Sequence, residues 1–215
     1  MRIGVLGTGM VGEATGTKLV ALGHAVTMGS RTAGNPKAVA WAAKAGRGAA
    51  QGTFADAAAF GELIFNCTFG TASVEAVTVA GVGNFKGKIL IDVSNPLDLS
   101  KGFPPSIAFR GEDSTGEQLQ RALPDCFVVK ALNTVNCNVM VNPALLKGDH
   151  DIFVGGNDAA AKAKVTAILT DWFGWRSVID LGDISSSRGV EGYVLLWIRL
   201  FGAAGKADFN IKLVR

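Results

Sequence analysis

Three glycines near the N-terminus, Gly7, Gly9 and Gly12, stand in a Gly-x-Gly-x-x-Gly spacing between a short apolar run and an amphipathic one. At that spacing each glycine lacks a Cβ for its own reason. Gly7 permits a tight turn out of a strand, Gly9 lets backbone approach a phosphate, and Gly12 lets the next helix lie close on the sheet. A helix starting near Met10 would aim free N–H groups and its positive dipole end at that phosphate. About twenty residues on, a carboxylate would serve a ribose 2′-hydroxyl. This chain has Ser30 and Arg31 there instead. A hydroxyl can donate to a phosphate oxygen and a guanidinium presents a planar fork to one, whereas a carboxylate repels it. The pair predicts a dinucleotide carrying a 2′-phosphate, NADP, in preference to NAD. A charge-assisted hydrogen bond of about 1.5–3 kcal/mol corresponds to a preference of roughly ten- to a hundredfold. Lys37, in the first turn of the next helix, would add long-range attraction.

The elements that would hold these residues follow in order. Arg2–Leu6 reads as a buried parallel strand and Met10–Leu22 as a helix stopped by Gly23. Ala25–Met28 is the next strand, and Asn35–Ala45 a helix with an Asn cap and Pro36 at its first position. Strands are expected at Ala49–Gln51, Leu63–Asn66, Lys88–Val93, Cys126–Lys130, Asp151–Val154 and Ser177–Asp180. Helices are expected at Thr53–Phe60, Ala72–Ala80, Thr115–Leu123 and Asp158–Phe173. Ser94–Pro105 reads as a loop, Ser185–Phe201 contains an amphipathic helix rich in large apolar residues, and Asn210–Val214 is expected to close the sheet as a strand. The alternation predicts an α/β fold, a doubly wound, mainly parallel sheet with helices on both faces and a small C-terminal α/β extension. The expected division is a Rossmann-type domain over residues 1–135 and a smaller part over 136–215 packed on it, or one continuous domain.

In such a sheet ligands sit beyond the carboxyl ends of the strands. That rule selects Thr68 and its neighbours after Leu63–Asn66, Asn95 after Lys88–Val93, and Asn133 after Cys126–Lys130, each as a cofactor contact or a plain turn former. Lys130 stands at a strand end, in a structural role or within reach of a substrate. No acid–base set emerges from the sequence, so no catalytic residue is assigned. Hydride transfer between two redox cofactors fits that lack, because the cofactors carry the chemistry and the protein aligns them.

Composition excludes several classes. Hydrophobic residues make up 48% and charged residues 18%, which argues against a disordered chain. The net charge of +3 is scattered without a basic stripe, so nucleic acid is not an expected partner. The 3 cysteines form no Cys-x-x-Cys pair and there are only 2 histidines, so no metal site is expected and reduced thiols fit better. No apolar run reaches the roughly 18 residues of a membrane span. A soluble, cytoplasmic protein is the expectation.

The segments MRIGVLGTGMVG, MGSR, GKILIDVSNPL, VVKALNTVN, DIFVGGNDAAAKAKV and DLGDISSSRGVEGYVLLWIRL together resemble the NADP oxidoreductases that depend on the deazaflavin coenzyme factor 420. The resemblance covers most of the chain, and its N-terminal part is also similar to the reductase domains of metalloreductases. It implies that Gly7, Thr8, Gly9, Met10, Val11 and Gly12 cradle a pyrophosphate and that Ser30 and Arg31 hold the 2′-phosphate. It further implies that Thr68, Phe69 and Gly70 run past the cofactor, and that Asn95, Pro96, Ala131 and Asn133 lie near the nicotinamide. Many relatives carry Ala-Val-Pro or a similar run where this chain has Asn66-Cys-Thr-Phe-Gly70, which bears on the shape of the nicotinamide pocket.

Two readings of different class result. The first is an NADP-dependent oxidoreductase that moves a hydride between the nicotinamide and a second small-molecule redox partner, a deazaflavin or a flavin, with a homodimer or other homo-oligomer as the expected assembly. The second is a non-catalytic NADPH-binding sensor or docking module. Trp172, Trp175, Trp197, Leu200 and Phe201 would form its interface; otherwise they fill the core behind the sheet.

Overall fold

The structure, a computed structural model, describes residues 1–109 and 111–214. Arg2–Leu6 (β1) leads through the glycine turn into Met10–Ala21 (α1), which ends before Gly23 at φ +84°. Ala25–Ser30 (β2) and Pro36–Ala45 (α2) follow. Asn35 caps α2 by accepting from the Lys37 and Ala38 N–H groups, and Pro36 stands at its start. Ala49–Thr53 (β3) runs directly into Phe54–Phe60 (α3), where Thr53 and Asp56 exchange hydrogen bonds in a capping box. Leu63–Asn66 (β4), Ser73–Val79 (α4) and Ile89–Asp92 (β5) complete the first half.

The expected loop after β5 holds a short hairpin, Leu97–Asp98 (β6) against Ser106–Ile107 (β7). Thr115–Ala122 (α5), Phe127–Ala131 (β8), Cys137–Val141 (α6) and Ile152–Gly156 (β9) come next. Ala159–Ile168 (α7), Val178–Asp180 (β10) and Ser187–Ala204 (α8) finish the fold.

Eight strands form one sheet in the order β10-β9-β8-β5-β4-β1-β2-β3. Every neighbouring pair is parallel except β8 with β9. The order reverses between β1 and β4, which is where an open α/β sheet leaves a crevice. Alternate side chains feed two cores: Ile3 and Val5 of β1 join the core around Trp41, Val129 and Trp175, and Leu6 joins the one around Phe85 and Leu119. The predicted mainly parallel α/β architecture is therefore the observed one. No helix among the described residues is long and apolar enough to cross a membrane.

One expectation is corrected. Asn210–Val214 forms no strand. The Asp151 N–H donates to the Ile211 carbonyl at 3.0 Å, but the Leu213 N–H then goes to the Asp151 carboxylate, so a side chain ends the ladder after one backbone bond. In α8 the buried seam is Ser187, Val190, Glu191, Val194 and Ile198, while Leu195 and Leu196 are exposed. A helical face counted by apolar residues alone misses that seam, because two of its members are polar.

The turn from β1 to α1 depends on close backbone packing. A Cβ on Gly12 would lie 2.2 Å from the Gly7 carbonyl oxygen, whereas one on Gly9 would meet nothing within 4 Å. Gly12→Ala should cost about 1–3 kcal/mol and lower the melting temperature by several degrees, and Gly9→Ala should leave it within about one degree. Melting curves check this; equal melting temperatures for both variants and the parent would contradict the packing described.

Candidate functional site

A cavity of about 930 Å³ opens beyond the carboxyl ends of β1, β2, β4, β5 and β8. The glycine turn forms its floor at the switch point. Gly7 adopts φ +114°, a conformation that suits only glycine, and a Cβ there would lie 2.5 Å from the Cys67 carbonyl oxygen. Gly9 is the residue before α1, has an ordinary φ of −81°, and offers no side chain to cap the helix. The 12-residue α1 thus presents its first-turn N–H groups and positive dipole end to the cavity beside an open face at Gly9.

At the end of β2, Ser30 is buried and its hydroxyl donates to the Thr32 carbonyl at 2.6 Å. Arg31 is exposed, and its guanidinium lies 3.6 Å from the Glu75 carboxylate of α4. Both side chains are largely exposed, so this ion pair contributes only about 0–1 kcal/mol and yields readily to a stronger anion. Asn35 also borders the cavity, but its carboxamide oxygen is committed to capping α2. Lys37 stands exposed in the first turn of α2, outside the lining.

The opposite end is uncharged. Asn95 donates to the Asn133 carbonyl at 2.9 Å, and the Asn133 amide donates to Asn95 Oδ1 at 3.0 Å and to the Val190 carbonyl at 3.0 Å. Val135, Asn136, Cys137 and Met140 line this end from the entry of α6, and Val194 and Trp197 line it from α8. Among the described residues only Arg31 and Glu75 bring charge to the lining. Burial pushes the Cys67 thiol up to about 12 and raises that of Cys137 as well, so neither is a thiolate at neutral pH.

Beneath this end lies a buried ionic cluster that the sequence did not reveal. Lys130 donates to Asp92 at 2.8 Å and to the Ser94 carbonyl at 2.6 Å, and pairs with Glu191 at 2.7 Å. Its three N–H groups are all taken, so the structural role of Lys130 prevails over contact with a substrate. Burial opposes its charge, but Asp92 and Glu191 overcome that and hold the ammonium above its ordinary pKa. Glu191 also accepts from the Thr115 and Gly116 N–H groups at the start of α5, at 2.9 and 3.1 Å. Burial nevertheless raises its carboxyl above the usual range.

Of the residues selected from sequence, Gly7, Thr8, Gly9, Met10, Val11, Ser30, Arg31, Thr68, Phe69, Asn95 and Asn133 line this one cavity. Gly12, Gly70, Pro96 and Ala131 lie outside the lining. Gly12 packs on Gly7, Gly70 on the Asn95 backbone, Pro96 is buried, and Ala131 is in the core. Sequence reasoning missed Glu75, Val79, Met140, Val194 and Trp197, which come from helices and carry no strand-end signal. The tryptophans separate: Trp175 is buried in the core, Trp172 packs on His24 with ring centroids 4.4 Å apart, and Trp197 stacks with Phe201 and Phe209 beside the cavity.

Comparison with known proteins gives a consistent picture. Residues 2–96 match the family described as NADP oxidoreductase, coenzyme F420-dependent. A solved structure from Arthrobacter sp. FB24, described provisionally as an F420-dependent NADP-reductase, is 47% identical, covers 100% of both chains and superposes with a TM-score of 0.94. Metalloreductase STEAP3 of Rattus norvegicus is 30% identical over 196 residues, 90% of this chain and 36% of that protein; the chain thus spans about a third of that relative's length. A reductive aminase from Aspergillus terreus, solved with NADPH and ethyl levulinate, shares the fold, with a TM-score of 0.66 at 22% identity over 95% of this chain and 62% of that one.

Proposed function

The chain belongs to the NADP oxidoreductase family described as coenzyme F420-dependent, and from that premise we propose that it moves a hydride between NADP and a planar redox partner of the deazaflavin or flavin class, both seated in the cavity. The observation that carries the reading is the cavity's polarity: phosphate-type donors at one end, a wall without charge at the other. When bound, NADP supplies the hydride chemistry at its nicotinamide, and the chain supplies position.

The residues present fit that group. Gly9 leaves the space in which a pyrophosphate can meet backbone, and Gly7, Thr8, Met10 and Val11 complete the cradle at the uncapped start of α1. Arg31 exchanges Glu75 for the 2′-phosphate, and Ser30 turns its hydroxyl from the Thr32 carbonyl to the same group. Thr68 and Phe69 flank the middle of the cofactor, and Asn95 and Asn133 face the carboxamide end. Gly12, Gly70, Pro96 and Ala131 act from behind the lining, as packing for the residues that touch it.

The uncharged wall bears on the acceptor. A carbonyl reduced to an alcohol needs a proton donor within hydrogen-bond reach. A conjugated ring system spreads the incoming electron pair and can take its proton from water, so it suits a site built for alignment. The exposed Leu195 and Leu196 on α8 support a homodimer, and equally support the second reading, a non-catalytic NADPH-binding module that docks on another protein.

Turnover separates the two readings. NADPH with the deazaflavin should lose its nicotinamide absorbance in the presence of the chain; tight NADPH binding without turnover across deazaflavin, flavin and imine acceptors would favour the docking module. Arg31→Ala should weaken NADPH binding by roughly ten- to a hundredfold and NADH binding far less. Calorimetric titration of both nucleotides reads this, and equal losses for the two would defeat the assignment of the 2′-phosphate to Arg31.

A further inference from the structure

Two consecutive residues of α8 are tied to the end of β8. The Glu191 carboxylate pairs with Lys130, and the Val190 carbonyl accepts from the Asn133 amide. The bond to Lys130 is fully buried, with both side chains at 3% exposure or less. Between Lys130 and Asn133 the chain makes an unusual turn: Leu132, bulky and buried, adopts φ +65°, a conformation that side chains of its size rarely accept. That turn brings Asn133 round to face α8 and Asn95 together. With its amide N–H groups given to Asn95 and Val190, Asn133 keeps one orientation. Its Oδ1 accepts no hydrogen bond among the described residues, and the residue borders the cavity.

We propose that Glu191 is a positioning residue for the cofactor: its pairing with Lys130 fixes α8 on β8, and through the Val190 carbonyl this orients the Asn133 carboxamide at the nicotinamide end of the cavity. The inference rests on the reading of the cavity as an NADP site. Asn133 then presents an acceptor of fixed direction, which suits the carboxamide N–H₂ of the nicotinamide ring. The buried cluster also sets Val194 and Trp197, one and two turns further along α8, against the same end. Glu191 touches no ligand in this scheme. A neutral amide at position 191 would face the Thr115 and Gly116 donors, or Lys130, with an N–H₂ group of its own, and α8 would shift to relieve the conflict.

The two ends of the cavity make the claim testable without a second substrate. NADPH reaches both ends, whereas adenosine 2′,5′-bisphosphate reaches only the end at Ser30 and Arg31. Both are titrated by calorimetry against the parent chain, Glu191→Gln and Asn133→Ala, well below each melting point. The expected result is that both variants bind NADPH roughly five- to tenfold more weakly and hold the bisphosphate within about twofold of the parent. Glu191→Asp, which keeps the charge, should give a smaller shift in the same direction and carries the test if Glu191→Gln does not fold. Equal weakening of both ligands, as a general loosening would give, overturns the inference, and so does an unchanged NADPH affinity. A parent chain that binds neither ligand brings down the cofactor reading itself, and this inference with it.

Discussion

The site depends on how closely backbone can pack at the end of β1. A Cβ on Gly7 would stand 2.5 Å from the Cys67 carbonyl oxygen, and a Cβ on Gly12 2.2 Å from that of Gly7. These two approaches let the chain leave the strand, turn back and start a helix within a few residues. They also place the start of α1 at the point where the strand order reverses. Among the described residues no side chain caps that helix, which leaves its first-turn donors to face the cavity. The donors that a phosphate would meet under the proposed function thus come from backbone geometry first and from charged side chains second. In the proposed reading Arg31, exposed and weakly paired, would add selectivity to a cradle already formed by backbone donors.

The other end of the cavity is held by a polar network beneath its wall. Thr68 donates to Asn66 at 2.7 Å, Asn66 to Asp92 at 2.8 Å, and Lys130 bridges Asp92 and Glu191. Two carboxylates share one ammonium, an arrangement that burial alone would make costly. It persists because each charge is hydrogen-bonded: Ser94 donates to Asp92 at 2.7 Å, and the start of α5 donates two N–H groups to Glu191. The network joins the switch-point strands to α8, an element near the end of the chain. It leaves the visible wall free of charge, which suits ring alignment better than proton transfer.

Much of this was legible because the signals are local. Asn35 and Pro36 announce the start of α2 whatever surrounds them, and the Leu63–Asn66 strand is bounded by glycine and polar residues that leave little choice. The glycine spacing and the Ser30–Arg31 pair likewise need only their own neighbours to be read. What escaped depends on distant partners. Glu191 is buried only because Lys130 and the start of α5 receive it, so nothing along α8 itself marks it as part of the buried seam. Asp151 diverts the Leu213 N–H and removes the expected closing strand. Glu75 and Trp197 reach the cavity from helices, where the strand-end rule gives no sign of them.

The account holds that the cavity aligns two redox rings and lets a hydride pass directly between them. The most direct measurement is isotopic: NADPH carrying deuterium at the transferable nicotinamide position is incubated with the chain and the oxidised deazaflavin, and the reduced product is analysed by mass spectrometry. The account predicts deuterium in the reduced deazaflavin in step with NADP formed. Reduced product without label, or NADPH left unoxidised while bound, would contradict it.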